Sequence, residues 1–149
     1  MSAAHLIAVA VDGSPASDGA LTEAVRLAAA EERPLLGVFV LDTGWADFIG
    51  NDWQSAAGAR QGFLDYIRTQ LETQAAAARA QFAAATGTLP AARFEVIPGE
   101  PLETLAALLA RGEAQCLLMG REAFQVCGRP SARRLAQDLA RRSAAVRLV

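Results

Sequence analysis

The sequence predicts an α/β domain built on a single open, doubly wound parallel sheet of five strands, with helices on both faces. Three observations carry this reading. Leu6 to Val11, Leu35 to Leu41 and Cys116 to Gly120 are apolar runs that ignore the alternation of a half-exposed strand, as parallel strands covered on both faces do. The segments between strands repeat apolar residues every three or four positions, the signature of amphipathic helices. Strand and helix patterns alternate, five strands to four helices, with no internal repeat and no linker of disordered composition, so one sheet follows. At 149 residues the chain, residues 1–149, fits one domain. A domain of that size buries roughly two thirds of the surface its unfolded form exposes.

The first strand, Leu6-Ile7-Ala8-Val9-Ala10-Val11, is expected at the centre of the sheet. Asp12 is the first polar group past its carboxyl end. Gly13 permits a positive φ, Ser14 is suited to N-cap and Pro15 to the first helical position. Leu21, Ala24, Val25 and Ala28 mark one helical stripe running to about Glu31, and Arg33-Pro34 ends it. Leu35 to Leu41 is a second buried strand, with Gly37 a point of close helix packing or a bulge.

Asp42 to Gly58 mixes small and polar residues with Trp45, Phe48, Ile49 and Trp53 and reads as a loop with large apolar anchors, packed beneath itself or covering a pocket. From Ala59 to Ala85 the spacing of Phe63, Tyr66, Ile67, Leu71, Ala75, Ala78 and Phe82 predicts one long helix, with the aromatic residues packing along it. Arg93 to Ile97 alternates as a strand with one wetter face does, at a sheet edge. Pro98-Gly99-Glu100-Pro101 turns into a helix carrying Leu102, Leu105 and Leu109. After the strand at Cys116 and the loop from Arg121 to Arg129, Pro130-Ser131 enters a short helix, and Val146 to Val149 closes the chain as the last strand.

Composition excludes several chemistries. All 14 basic residues are arginine, so a P-loop lysine, a Schiff-base lysine and a lysine general base are ruled out. The one histidine, His5, precedes the first strand, away from the carboxyl ends where open α/β sheets bind ligands. One His and two Cys offer no zinc-ligand spacing. A net charge of −2 argues against a general nucleic-acid binder, although Arg121, Arg129, Arg133, Arg134, Arg141, Arg142 and Arg147 crowd the last thirty positions. Those arginines read as a solvated helix face with a cationic last turn. No stretch has the form of a leader peptide or a membrane helix, and two cysteines are too few for a disulfide framework, so a cytoplasmic location is expected.

Ile7 to Ser14, Pro98-Gly99-Glu100-Pro101 and Leu117-Leu118-Met119-Gly120, in that order and spacing, resemble the recurring segments of the universal stress protein family. The resemblance runs from the first strand to the last. It implies strand order 3-2-1-4-5, with Asp12 and Gly120 facing one crevice between strands one and four. In nucleotide-binding members, the Asp ending strand one and main-chain groups ending strand two hold adenosine, positions matched here by Asp12 and Val40. The phosphates rest on a loop of pattern G-x-x-G-x9-G-[ST], where backbone N–H groups cradle the anion. Here Gly120 matches the first glycine, but Ala123 stands at the second and Arg133-Arg134 where Gly-Ser is expected; a loop three residues shorter places Pro130-Ser131 there instead.

Two consequences compete. The missing glycines remove the N–H cradle, while Arg121, Arg129 and Arg133 offer charge-assisted contacts in its place. The first weighs more, and the expectation is a stress-response or regulatory module with altered or absent ATP binding and no dedicated chemistry. The alternative is an adenine-nucleotide switch or slow ATPase in which Asp12, Val40, Gly120 and Ser131 hold the ligand. Asp12 itself reads equally as a brace of the turn into the first helix. The resemblance also implies a homodimer through the final strand, with Val146 and Leu148 at the interface. A protein partner is expected, a nucleic-acid or membrane partner is not. Cys127, beside Arg129, has an ordinary exposed thiol as its simplest reading and a redox sensor as the other.

Overall fold

The computed structural model describes residues 6–51, 58–87, 89–125 and 128–149. His5, Trp53 and Cys127 lie outside the described residues, as do the readings that rest on them. Five parallel strands form one sheet in order β3-β2-β1-β4-β5: β1 Ile7–Ala10, β2 Leu35–Asp42, β3 Ala92–Gly99, β4 Cys116–Met119 and β5 Val146–Leu148. Ile7 stands opposite Leu35 of β2 on one side and Cys116 of β4 on the other, so β1 is the centre of the sheet. Ile7, Ala8, Val9 and Ala10 are all 1% exposed or less, which is why this strand reads as an unbroken apolar run. β3 alternates in burial along its edge position, as its sequence does.

Right-handed crossovers decide which face each helix covers. Leaving β1 toward β2 and β3, the chain lays α1 (Asp18–Glu31) and the long α3 (Ala59–Thr86) side by side on one face; leaving β3 toward β4 and β5, it lays α4 (Pro101–Ala110) and α5 (Leu135–Arg142) together on the other. Ser14 caps a 3-10 turn, Pro15–Ser17, rather than α1 directly, accepting from the Ala16 N–H at 3.2 Å. Glu100 caps α4 through the Leu102 N–H, with Pro101 at the first helical position.

Two expectations need correction. Trp45–Ile49 forms a short helix, α2, inside the segment read as a loop; five residues are too few to display a periodic stripe. Tyr66 is 58% exposed, because the buried stripe of α3 runs through Leu71, Ala75, Ala78 and Phe82 and Tyr66 lies off it. Gly37 does mark close helix packing: a Cβ there would lie 2.5 Å from the Phe82 ring of α3.

Candidate functional site

The carboxyl ends of β1, β2 and β4 meet where the strand order reverses, the place at which open α/β sheets bind ligands. Asp12 follows β1 and is wholly buried. A buried carboxylate demands donors, and it has them. Oδ1 accepts from the Ser14 N–H, the Ser14 hydroxyl and the Ser17 hydroxyl, each at 2.8 Å. Oδ2 lies 2.9 Å from the Ser14 hydroxyl as well and accepts from the backbone N–H of Phe124 at 2.9 Å. The Asp12 N–H in turn donates to Ser17 Oγ at 3.0 Å. Asp12 thus braces the turn into the first helix and also pins the loop after β4.

The turn is held from α3 as well. Gly13 adopts φ +82 and sits where a Cβ would lie 2.9 Å from Ala78 N. Gln81 accepts from the Gly13 N–H at 3.1 Å and donates to Ser14 O and Asp18 Oδ1 at 3.0 and 2.7 Å.

On the β4 side, Gly120 packs so closely on the 3-10 turn that a Cβ would collide with the Ala16 carbonyl oxygen. Phe124 adopts φ +67, a left-handed conformation that costs a phenylalanine about 1 kcal/mol. Its ring is 7% exposed and lies 5.7 Å from that of Phe39 on β2. The ring packs on β2 and, among the described residues, lines with Val40, itself 2% exposed, a cavity of about 20 Å³, room for little more than a water.

A second closure joins β2 to the same loop. Arg129 donates from Nε to Asp42 Oδ2 at 2.7 Å and from Nη2 to Asp42 Oδ1 at 3.0 Å, and both side chains are largely buried. Asp42 also accepts from the Gly44 N–H at 2.8 Å. The guanidinium lies flat on Gly44, where a Cβ would come within 2.6 Å of Cζ. The hydrogen bonds to Asp42, with the charges of Asp42, Glu100 and Asp47, hold the Arg129 pKa above its ordinary value despite burial. Ser131 stands exposed in the 3-10 segment Pro130–Arg134 and lines a neighbouring cavity of about 60 Å³ with Asp42, Glu100 and Pro101.

Asp12 and Gly120 are therefore brought to one place, but the place is packed with protein. Val40 and Ser131 line adjoining small cavities that share Asp42. The residues present do not fit an adenine nucleotide in this arrangement: ligand clefts run to several hundred Å³, the Asp12 oxygens are engaged by internal donors, and the Phe124 N–H is turned onto Asp12. Arg129, read in the sequence as a possible anion contact, is committed to Asp42. Phe124 and Asp42 were not singled out in the sequence. The only signals were an aromatic where a phosphate loop wants small residues and a carboxylate ending the second strand. Among the described residues no group of His, Cys, Asp and Glu is arranged to hold a metal ion, and no helix is long and apolar enough to cross a membrane.

The sequence model described as the universal stress protein family matches residues 4–149. Among curated proteins, none matches the sequence. Solved structures share the fold along nearly the whole chain. A protein of the universal stress protein family from Burkholderia pseudomallei is 21% identical, with 100% of this chain and 98% of that one covered and a TM-score of 0.62. Universal stress protein UspA from Lactobacillus plantarum is 21% identical, with 98% and 97% covered and a TM-score of 0.63. A universal stress protein solved in complex with cAMP is 20% identical, with 99% and 98% covered and a TM-score of 0.59.

Proposed function

Since the chain belongs to the universal stress protein family, we propose that it serves as a cytoplasmic stress-response module that regulates through protein contacts, its nucleotide crevice closed by its own side chains. One observation carries this reading: the Asp12 carboxylate is saturated by internal donors, the Phe124 N–H among them. A ligand that engages Asp12 Oδ2 has to displace the Phe124 N–H, and with it the loop after β4. With no lysine in the chain, the module has no lysine base or nucleophile to bring to the crevice.

Isothermal titration of nucleotide-free protein with ATP, ADP, AMP and cAMP, with magnesium, tests this. No heat up to millimolar ligand is expected. Saturable binding that disappears in Asp12→Ala overturns it.

That outcome would favour the second reading, an adenine-nucleotide switch or slow ATPase in which Asp12, Val40, Gly120 and Ser131 hold the ligand once Arg129 releases Asp42. The observation in its favour is that a structurally similar universal stress protein was crystallised with cAMP.

The module is further proposed to pair as a homodimer through β5. Val146 and Leu148 are half-buried on that short edge strand, and Val149 beyond it is 45% exposed. Light scattering at micromolar concentration is expected to give twice the chain mass, and Val146→Asp to halve it. A monomeric native protein overturns this.

A further inference from the structure

Beside the closed crevice the structure has a larger concavity, which shares Asp42 and Leu71 with the small cavity next to Val40. It lies between the start of the β2–α2 connection and the first half of α3, and measures about 330 Å³, within the range of small-molecule sites. Its walls are Leu41 at the end of β2, Trp45 of α2, and Leu64, Ile67 and Leu71 of α3. These walls are fixed. Arg60 ties α3 to α2 by donating to Gly50 O at 2.7 Å and Ala46 O at 3.1 Å. Trp45 is wedged edge-on against Phe48 and Phe63, with ring centres 5.6 and 6.4 Å away.

The polar groups around the cleft are not balanced. Its two carboxylates are engaged: Asp42 by Arg129 and the Gly44 N–H, Asp65 by the Gln61 amide at 2.9 Å and by Arg68 at 3.1 Å. Its donors are not. Arg68 commits one N–H of its five to Asp65, and its side chain is 64% exposed at the rim. The Trp45 indole N–H is buried and meets no acceptor among the described residues.

We infer that this cleft binds a small aromatic acid, a flat ring carrying a carboxylate or sulfonate, with the ring against Trp45, Leu64, Ile67 and Leu71 and the acid group on Arg68. The ring suits an apolar cleft with an aromatic wall. The acid suits the one strongly charged donor whose capacity is left over. The acid group is assigned to Arg68, which does not line the cavity beside Val40.

The test uses the full chain and anilinonaphthalene sulfonate, followed by fluorescence and by backbone amide NMR shifts. Neutral phenylnaphthylamine, the same ring system without the acid, serves as comparison. Saturable single-site binding of the sulfonate is expected, with shifts clustered at residues 41–46 and 61–71. Arg68→Gln is expected to weaken the sulfonate about fivefold to tenfold and leave the neutral ring unchanged. Leu64→Trp, which fills the cleft, should weaken both. Shifts centred elsewhere, no saturation, or equal affinity of Arg68→Gln and native protein for the sulfonate would each overturn the proposal.

Discussion

The guanidinium of Arg129 and the carboxylate of Asp42, 87 positions apart in sequence, meet through two parallel hydrogen bonds that clasp the end of β2 to the loop after β4. Removing one partner leaves the other charge largely buried. Arg129→Ala is expected to lower stability by about 2–3 kcal/mol in urea unfolding, more than an exposed pair contributes. Combined with Asp42→Ala, the second change should cost much less than it does alone. Additive losses would show that the two side chains do not act as a pair.

Asp12 is held by four separate donors, and an amide of the same shape cannot satisfy all of them. Asp12→Asn turns an NH2 toward at least one N–H or hydroxyl, so a stability loss of about 2–3 kcal/mol is expected. The sharper readout is hydrogen exchange at the Phe124 amide, whose acceptor is Asp12 Oδ2. Its protection should fall out of proportion to the global loss, and an unchanged rate would remove Asp12 as the anchor of that loop.

At Gly120 the obstacle to a side chain is backbone, the Ala16 carbonyl, and the 3-10 turn carrying it is fixed to Asp12 through Ser14 and Ser17. Gly120→Ala is therefore expected to cost about 2 kcal/mol or more. Gly62→Ala, on an open face of α3, should be neutral or slightly stabilising. Similar melting temperatures for the two variants would contradict the close approach.

Cys116 opens β4 and is buried, and burial pushes its thiol pKa above the ordinary value of 9.0. Above pH 9.0 the unfolded chain gives up the thiol proton before the folded chain does, so this group's contribution to stability is intact below that pH and declines above it. The stability difference between native protein and Cys116→Ala should therefore shrink between pH 9 and pH 11. At neutral pH, alkylation followed by mass spectrometry of the Cys116 peptide should find it unmodified in the folded protein.

The sheet was legible in the sequence because a strand buried on both faces has nowhere to place a polar residue; Leu6 to Val11 and Cys116 to Met119 announce themselves for that reason. α2 was not legible, since one and a half turns show no period, and Tyr66 was misplaced because three residues from Phe63 is a helical spacing whichever way the stripe then drifts. At the site, Asp12 and Gly120 were visible through a local pattern. Their neighbours were not. Phe124 reaches Asp12 across 112 positions, and Arg129 reaches Asp42 only because the strand order brings the ends of β1, β2 and β4 together. Residue types alone suggested a free cation at Arg129; partner choice is a property of the topology.

The strand order also sets a timetable for synthesis. β1 ends at Ala10 and its second neighbour, β4, begins at Cys116. On a ribosome adding about 5–20 residues per second, β1 waits roughly 5–20 seconds for that neighbour. Through this interval β1, β2 and β3 can pair, yet one side of the most apolar strand in the protein stays open to any other strand nearby. The nascent chain is thus most exposed to misassembly just before β4 emerges, and a shortened product ending after α4 would carry that open side permanently.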